Sequence, residues 1–249
     1  MAIKVCKVPY LNYEPYYFDM KSQEFELQEC TPSGVAELLL NGSVKAGPVP
    51  TADIPKIHES FVPVSGFAIS TRAASGNLFL HSKLPIEELA GKDIAVGSEG
   101  ATAVKLLRLL IEKKHQLKNI QFVNPSEDHD AILVIGDPAL RTRFGMRGYE
   151  FRYDLGSEWS EWTSLPLVTS KWYADPDMDD SEKILLENTL YVGMEEGVTT
   201  LCNTNETFDH LLMRAKDVTA FIRGFKYFSG LSENKGLEKL LGYFSDSEH

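Results

Sequence analysis

The chain has 249 residues, of which 43% are hydrophobic, and its formal net charge at pH 7 is −11. These values predict a folded protein with one large domain or two small ones, and they argue against an intrinsically disordered chain. Acidic residues are spread along the whole chain. We therefore expect no basic face of the kind that binds a phosphate backbone, and no nucleic-acid partner.

The sequence shows no pattern typical of secretion, membrane insertion or metal binding. Residues 1–8 have no apolar segment behind a basic start, and no apolar run approaches the roughly 20 residues that span a bilayer. We therefore expect a cytoplasmic protein with no membrane partner. The cysteines Cys6, Cys30 and Cys202 lack metal-type spacing, and the six histidines form no HxH or HExxH pattern. No metal site is predicted.

The amino-terminal part of the chain contains a strand, a loop and a short helix. Alternation of apolar and polar residues predicts the strand at residues 3–8, and prolines on both sides of Asn12 predict a loop after it. Thr31 precedes a proline and an apolar stretch, which indicates the start of a helix. Asn41 and Gly42 are a typical helix end.

The middle of the chain repeats the order strand, loop, helix. A strand is predicted at residues 94–96, and a loop with two glycines leads from it to a helix with one apolar face. A second strand is predicted in the continuous apolar run at residues 131–135. After it, Asp137 is predicted as the N-cap and Pro138 as the first residue of a helix. Strands that alternate with helices predict an α/β fold.

From residue 181 onward the chain has mainly helical periodicity. Phe221, Phe225 and Phe228 recur at a spacing compatible with one helix face, which predicts a helical carboxyl-terminal flank. The acidic run at residues 175–182 lies just before this part and is a candidate domain boundary.

Candidate binding residues lie in the loops that follow the predicted strands, because small ligands of open α/β sheets bind beyond the carboxyl ends of the strands. The loop at residues 97–103 offers backbone N–H groups, a helix dipole and the hydroxyls of Ser98 and Thr102 to a carboxylate. A plain helix cap explains this loop equally well. An N-cap is the more ordinary role for Asp137, and an Asx-turn for Asn12. The residues alone therefore predict an α/β protein with an anion-binding cleft.

A set of short stretches adds a family resemblance to this interpretation. They are VPYLNYEP at 8–15, ELLLNG at 37–42, AGPV at 46–49, LPIEEL at 84–89, VGS at 96–98, VIGDPAL at 134–140, DLG at 154–156 and FKYF at 225–228. No single stretch is diagnostic, but the ordered set spans nearly the whole chain. The sequence resembles the chorismate dehydratases of the futalosine pathway to menaquinone.

The resemblance implies a fold and its division along the chain. The fold is the two-lobed α/β fold of type II periplasmic binding proteins, with two crossover hinge segments and a helical carboxyl-terminal flank. The first lobe is expected at residues 1–82 and 173–249, and the second at 83–172. The crossovers are expected near residues 84–85 and 165–172.

The resemblance also implies an activity, the removal of water from chorismate to give 3-[(1-carboxyvinyl)oxy]benzoate, with no metal and no organic cofactor. The catalytic positions of the family fall on Asn12 and Asn77. Residues implied to contact the substrate are Tyr10, Ser98, Thr102, Ala103 and Asp137.

Two positions depart from the family pattern. Asn77 stands where the family has a serine, and Ala103 where the family commonly has a hydroxyl. Because of these departures a second hypothesis stays open, a non-catalytic cytoplasmic binding protein for chorismate or a related aromatic carboxylate. In both hypotheses the partner is a small carboxylate, and the oligomeric state is not predicted.

Overall fold

Residues 2–246 are described by a computed structural model, and within them the chain forms two β-sheets flanked by helices. The strands are β1 (Ile3–Lys7), β2 (Phe25–Glu29), β3 (Ala46–Pro50), β4 (Val62–Thr71), β5 (Leu78–Ser82), β6 (Asp93–Ala95), β7 (Gln121–Val123), β8 (Ala131–Ile135), β9 (Phe151–Asp154), β10 (Leu167–Ala174) and β11 (Phe225–Phe228). The α-helices are α1 (Val35–Leu40), α2 (Ile54–Ile57), α3 (Ala101–Leu109), α4 (Gly136–Arg141), α5 (Leu155–Thr163), α6 (Asp180–Val192), α7 (Val198–Cys202), α8 (Ala215–Arg223) and α9 (Leu231–Asp246).

The first sheet has six strands in the order β11-β4-β10-β3-β1-β2. Its strands β1, β2 and β3 run parallel, whereas β10 is antiparallel to both β3 and β4. Every residue of β3 is buried, as expected for a strand covered on both faces. Under this sheet, Tyr16 packs edge to face against Phe67, Trp172 and Tyr227.

The second sheet has five strands in the order β7-β6-β8-β5-β9. Strands β6, β7 and β8 are parallel, and β5 is antiparallel to its neighbours β8 and β9. Its core includes the fully buried Leu80, Ile94 and Trp159. The strand, glycine loop and helix order predicted for the middle of the chain is therefore confirmed, and α3 continues into a π-helical turn at Leu110–Lys114.

The chain crosses between the sheets twice. It leaves β4 and enters β5 through residues 72–77, and it leaves α5 and enters β10 through residues 164–166. Strand β5 thus lies in the second sheet and β10 in the first, in contrast to the predicted lobe boundaries. Strand β5 is held there because both of its edges pair with strands of the second sheet. The exact division of the chain into two lobes stays a prediction.

The carboxyl-terminal flank is mainly helical, as predicted, but it contains one strand that the sequence pattern had assigned to a helix. Phe225 and Phe228 belong to strand β11, which pairs with β4 at the edge of the first sheet. The helical spacing was misleading because Gly224 ends α8 between Phe221 and Phe225. The acidic run at residues 175–182 joins β10 to α6, and Asp179 forms the capping box of α6. This run therefore connects a strand of the first sheet to the helix that follows it, and it is not a boundary between the two sheets.

Helix α9 and the segment around Met213 both contact the two lobes. Leu240 and Phe244 of α9 belong to the core of the second sheet, although α9 also packs on β10 of the first. A small separate cluster joins Leu11, Leu140 and Met213. No helix within residues 2–246 has both the length and the apolar character needed to cross a bilayer.

Candidate functional site

A cavity that opens to solvent lies between the two lobes, with about 490 Å³ of empty space when the adjoining solvent is included. We call this cavity the cleft. The first lobe contributes the loop after β1, the end of β3 and Thr169 of β10. The second lobe contributes the start of β5, the start of α3 and the end of β8. The cleft thus lies where the ends of strands from both sheets meet, in agreement with the binding rule for open α/β sheets.

Asn12 and Asn77 face each other in the cleft. The Asn77 Nδ2 donates a hydrogen bond of 3.2 Å to the Oδ1 of Asn12, and both residues are buried, with exposed fractions of 5% and 4%. The backbone carbonyl of Asn77 also accepts a hydrogen bond from Gly136 N, which fixes the start of β5. The remaining amide donors and acceptors of the pair are available to a ligand. Their roles as catalytic residues stay predictions.

Helix α3 begins at the cleft. Gly100, Ala101, Thr102 and Ala103 all line it, and no side chain caps the helix. The first backbone N–H groups of a helix have no partner within the helix, so they are free to bind a negatively charged group. The side chain of Thr102 is already used, because its Oγ1 accepts a hydrogen bond of 3.0 Å from Ala52 N. The hydroxyl can still donate its proton to a ligand.

The ring of Tyr10 closes one side of the cleft against the second lobe. Its hydroxyl donates to Glu99 Oε2 at 3.3 Å, and its ring covers Gly136. Gly136 has a φ of +62°, and a Cβ at this position would lie 2.6 Å from two ring atoms of Tyr10. A glycine is therefore required here both by the backbone conformation and by the close approach of the ring.

Asp137 does not have the predicted N-cap role. Helix α4 begins one residue earlier, at Gly136, so Asp137 lies inside its first turn. Its Oδ1 instead accepts a hydrogen bond of 2.9 Å from Leu11 N in the other lobe. The positive φ of Gly136 places a sharp turn between β8 and α4. Burial raises the pKa of the Asp137 carboxyl, and the Leu11 N–H acts in the opposite direction.

Like Asp137, the predicted contact residue Ser98 does not line the cleft. It lines a different surface groove together with Asn124 and Pro138. The glycine loop turns before α3, so that Gly100 rather than Ser98 faces the cavity. Sequence reasoning also missed Tyr13, Pro50 and Thr169, which line the cleft. Tyr13 lies in the loop after β1 and Pro50 is the last residue of β3, so the rule on strand ends could have found both of them.

The lining of the cleft contains no lysine, arginine, histidine, aspartate or glutamate among residues 2–246. The ionisable groups among the described lining residues are the phenols of Tyr10 and Tyr13. Burial raises the pKa of Tyr13 to about 12, and burial together with Glu99 raises the pKa of Tyr10 further. Both phenols are therefore protonated at neutral pH. The described lining thus presents hydrogen-bonding groups and a helix start.

A family model described as menaquinone biosynthesis matches residues 3–246. The chain belongs to this family. The resemblance deduced from the short sequence stretches is thereby confirmed. The match reaches from β1 to α9 and includes every strand of both sheets.

Solved structures with a similar fold support a two-lobed architecture for this family member. Protein AF1704 from Archaeoglobus fulgidus is 15% identical, with a TM-score of 0.76, and the match covers 99% of this chain and 98% of that one. The periplasmic aliphatic sulphonate binding protein SsuA from Escherichia coli is 11% identical, with a TM-score of 0.64 and coverage of 99% and 92%.

A third similar structure is the CA3427 gene product of Candida albicans, described as having the generic periplasmic binding protein fold. It is 12% identical, with a TM-score of 0.61 and coverage of 99% and 90%. At these identities the likeness concerns the fold alone. The predicted periplasmic-binding-protein-like α/β fold is confirmed.

Proposed function

We propose that this chain is a cytoplasmic chorismate dehydratase of the futalosine pathway, which converts chorismate to 3-[(1-carboxyvinyl)oxy]benzoate and water. The observation that carries the proposal is the pair of buried carboxamides, Asn12 and Asn77, opposite an uncapped helix start in a cleft between two lobes. Membership of the menaquinone biosynthesis family supports a role in that pathway.

The reaction requires positioning more than strong acids or bases. A ring C–H bond and a ring C–O bond break, water leaves, and the ring becomes aromatic, which supplies the driving force. The enzyme must hold the diene acid, neutralise its carboxylates and orient the leaving hydroxyl. These tasks suit a site that is built from hydrogen-bond donors and acceptors.

The start of α3 is the proposed site for a carboxylate of the substrate. The backbone N–H groups of Ala101, Thr102 and Ala103 lie in the first turn of a nine-residue helix. Together with the helix dipole they stabilise a negative charge without a cationic side chain. The hydroxyl of Tyr10 donates its one proton to Glu99, so toward the substrate it can serve as a hydrogen-bond acceptor.

The general base is proposed to be a carboxylate of the substrate itself, as the family resemblance implies. Within residues 2–246 the side chains that line the cleft include no carboxylate, imidazole or amine. The phenols of Tyr10 and Tyr13 have raised pKa values and are protonated at neutral pH. A proton acceptor supplied by the substrate removes the need for one in the protein.

Asn12 and Asn77 are proposed to orient the leaving hydroxyl. Each carboxamide has two N–H donors and one oxygen acceptor, and their mutual hydrogen bond uses one donor of Asn77 and one acceptor site of Asn12. The pair can therefore donate to the departing oxygen while it holds its own geometry. Asn77 performs this task with a carboxamide where the family has a hydroxyl.

A binding protein without turnover is the second candidate function. The neutral cleft without a base favours it, since such a cleft can hold a carboxylate by hydrogen bonds and do no chemistry. The alkyl sulphonates named for the similar SsuA structure are small anions as well.

Incubation of the purified protein with chorismate tests the two functions against each other. Absorbance and mass follow the aromatic product, and calorimetry measures chorismate binding in parallel. We expect product that accumulates in proportion to protein concentration. Binding without product, even at high protein concentration, would contradict the enzyme and select the binding protein. Absence of both product and binding would contradict both functions.

A further inference from the structure

A second groove lies on the connection between the two sheets, outside the cleft. One wall is formed by residues 71–76, which lead from β4 to β5, and the other by residues 220–226 at the end of α8 and the start of β11. Its volume is about 1050 Å³, which includes space open to solvent. We call it the hinge groove.

The hinge groove has a positive lining in an acidic protein. Arg72, Arg223 and Lys226 line it, and no acidic side chain of the described residues does. The whole chain has 36 acidic and 25 basic residues, so three cations without an acid in one groove depart from its average composition. The side chain of Arg72 is 70% exposed, and Arg223 is exposed as well.

Two carboxylates lie under the groove, and both already have partners. Glu233 is buried, and its Oε1 accepts from Lys226 Nζ at 3.0 Å, with Arg72 Nε at 3.9 Å. Asp154 accepts hydrogen bonds of 2.7 Å from the backbone N–H groups of Ser75 and Gly76. Glu233 therefore neutralises the charge of Lys226 and also attracts the guanidinium of Arg72. Asp154 fixes the backbone of residues 75 and 76, which form part of one wall of the groove.

The two arginines keep most of their binding capacity. Arg72 touches Glu233 only at the long limit of an ion pair, and Arg223 forms no ion pair in the part of the chain that the structure describes. A guanidinium has five N–H donors in a planar fork that matches phosphate and carboxylate oxygens. The groove thus offers two such forks to an incoming anion.

An aromatic wall lies beside these charges. Phe221 and Phe225 both line the groove, and their rings pack edge to face with centroids 5.0 Å apart. Aromatic rings in this position can cover an apolar or aromatic part of a ligand. The lining therefore combines two cationic forks with an apolar surface.

From this arrangement we infer that the hinge groove is a second binding site, which takes a small organic phosphate with an aromatic or apolar substituent. The two exposed guanidinium groups match the double negative charge of a phosphate monoester. The inference is independent of the reaction proposed for the cleft. A ligand bound here contacts both the segment that leads to Asn77 and strand β11 of the first sheet.

Calorimetric titration with inorganic phosphate and with phenyl phosphate, at constant ionic strength, tests this inference. The wild-type protein is compared with Arg72→Gln and Arg223→Gln. The matched control is Arg147→Gln, an exposed arginine outside the groove. We expect each groove substitution to weaken phenyl phosphate binding by about ten-fold or more, since hydrogen bonds to charged groups are the strong ones, and the control to leave it unchanged.

Phenyl phosphate is expected to bind more tightly than inorganic phosphate, because the ring contacts Phe221 and Phe225. Equal affinities would contradict the aromatic part of the inference. Three results would overturn the site as a whole: no binding of either probe at millimolar concentration, unchanged binding in both groove variants, or an equal loss in the Arg147→Gln control. Matched melting temperatures exclude misfolding of the variants as the cause of a loss.

Discussion

The cleft and the hinge groove lie at the same junction of the two lobes, yet the charges of their linings differ. Among residues 2–246, the cleft is lined by no charged side chain and presents the start of α3, whereas the hinge groove is lined by three cations. Backbone N–H groups act over a short distance and in one geometry. Guanidinium charges act at longer range and are weakened by salt. The net charge of the chain, −11, predicts neither site.

The largest effect is expected for Gly136→Ala. This substitution pushes Tyr10 away from the second lobe and so disturbs the cleft, but it does not touch the hinge groove. The new Cβ would lie 2.6 Å from ring atoms of Tyr10, and the backbone φ of +62° at residue 136 disfavours any residue with a side chain. We expect a loss of stability of about 2 to 5 kcal/mol, from the backbone strain and the overlap together. Urea unfolding measures the loss, and chorismate binding should fall with it.

Gly42→Ala is the matched control for this prediction. Gly42 has a φ of +72°, but no atom lies within 4 Å of an added Cβ. It should show only the backbone cost of about 1 to 2 kcal/mol and no change in chorismate binding. Equal losses of stability in the two variants would mean that Tyr10 does not press on Gly136.

A smaller effect is expected at Asp137, which joins the lobes beside the cleft. Asp137→Ala removes the acceptor of the Leu11 N–H, and we expect a loss of about 1 to 3 kcal/mol for this unpaired donor. Asp137→Asn keeps an amide oxygen as acceptor and should lose much less. Unfolding free energies of both variants measure the difference, and equal losses would show that the hydrogen bond contributes nothing.

The pH dependence at Asp137 has a defined sign. The pKa of this carboxyl is raised in the folded protein, so the folded state holds the proton more tightly than the unfolded state. The contribution of Asp137 to stability is therefore greatest at acid pH, and it falls as the pH rises past the ordinary pKa and up through the raised one. Above this window Asp137→Asn should gain relative to the wild type. A constant difference between the two proteins from acid to neutral pH would contradict the raised pKa.

The smallest effects are expected from salt. Raising the salt concentration from about 0.05 M to about 0.5 M should weaken phenyl phosphate binding in the hinge groove clearly, because exposed charges are screened. Chorismate binding in the cleft should weaken less, since the cleft holds no cationic side chain. Calorimetry at matched pH compares the two. A steeper salt dependence for chorismate would reverse the proposed difference between the sites.

Most of the fold was predictable from local patterns. The alternation at β1, the apolar run at β8 and the glycine loop before α3 each depend on neighbouring residues, and all three predictions are confirmed. The prediction failed at β11, where a strand has apolar residues at a spacing that also fits a helix. Pairing with β4 decides this case, and no local pattern records such a pairing.

The site was less predictable, because its geometry depends on contacts between distant parts of the chain. Asp137 appeared to be a helix cap, yet its partner Leu11 lies far away in sequence and in the other lobe. The direction of the glycine loop, which turns Ser98 away from the cleft, is set by tertiary packing as well. The family resemblance identified Asn12 and Asn77, and spacing alone gives no reason to pair them.

Substitution of Asn77 tests the central claim, that this carboxamide faces the substrate in a cleft without a protein base. Chorismate turnover and affinity are measured for Asn77→Ser, which restores the family hydroxyl, and for Asn77→Leu, which leaves its hydrogen bonds unmade. An unpaired buried group costs about 1 to 3 kcal/mol, so we expect Asn77→Leu to lose about five-fold to over a hundred-fold in turnover or affinity. Asn77→Ser should change turnover while the melting temperature stays near that of the wild type. Wild-type turnover and affinity in both folded variants would contradict the account.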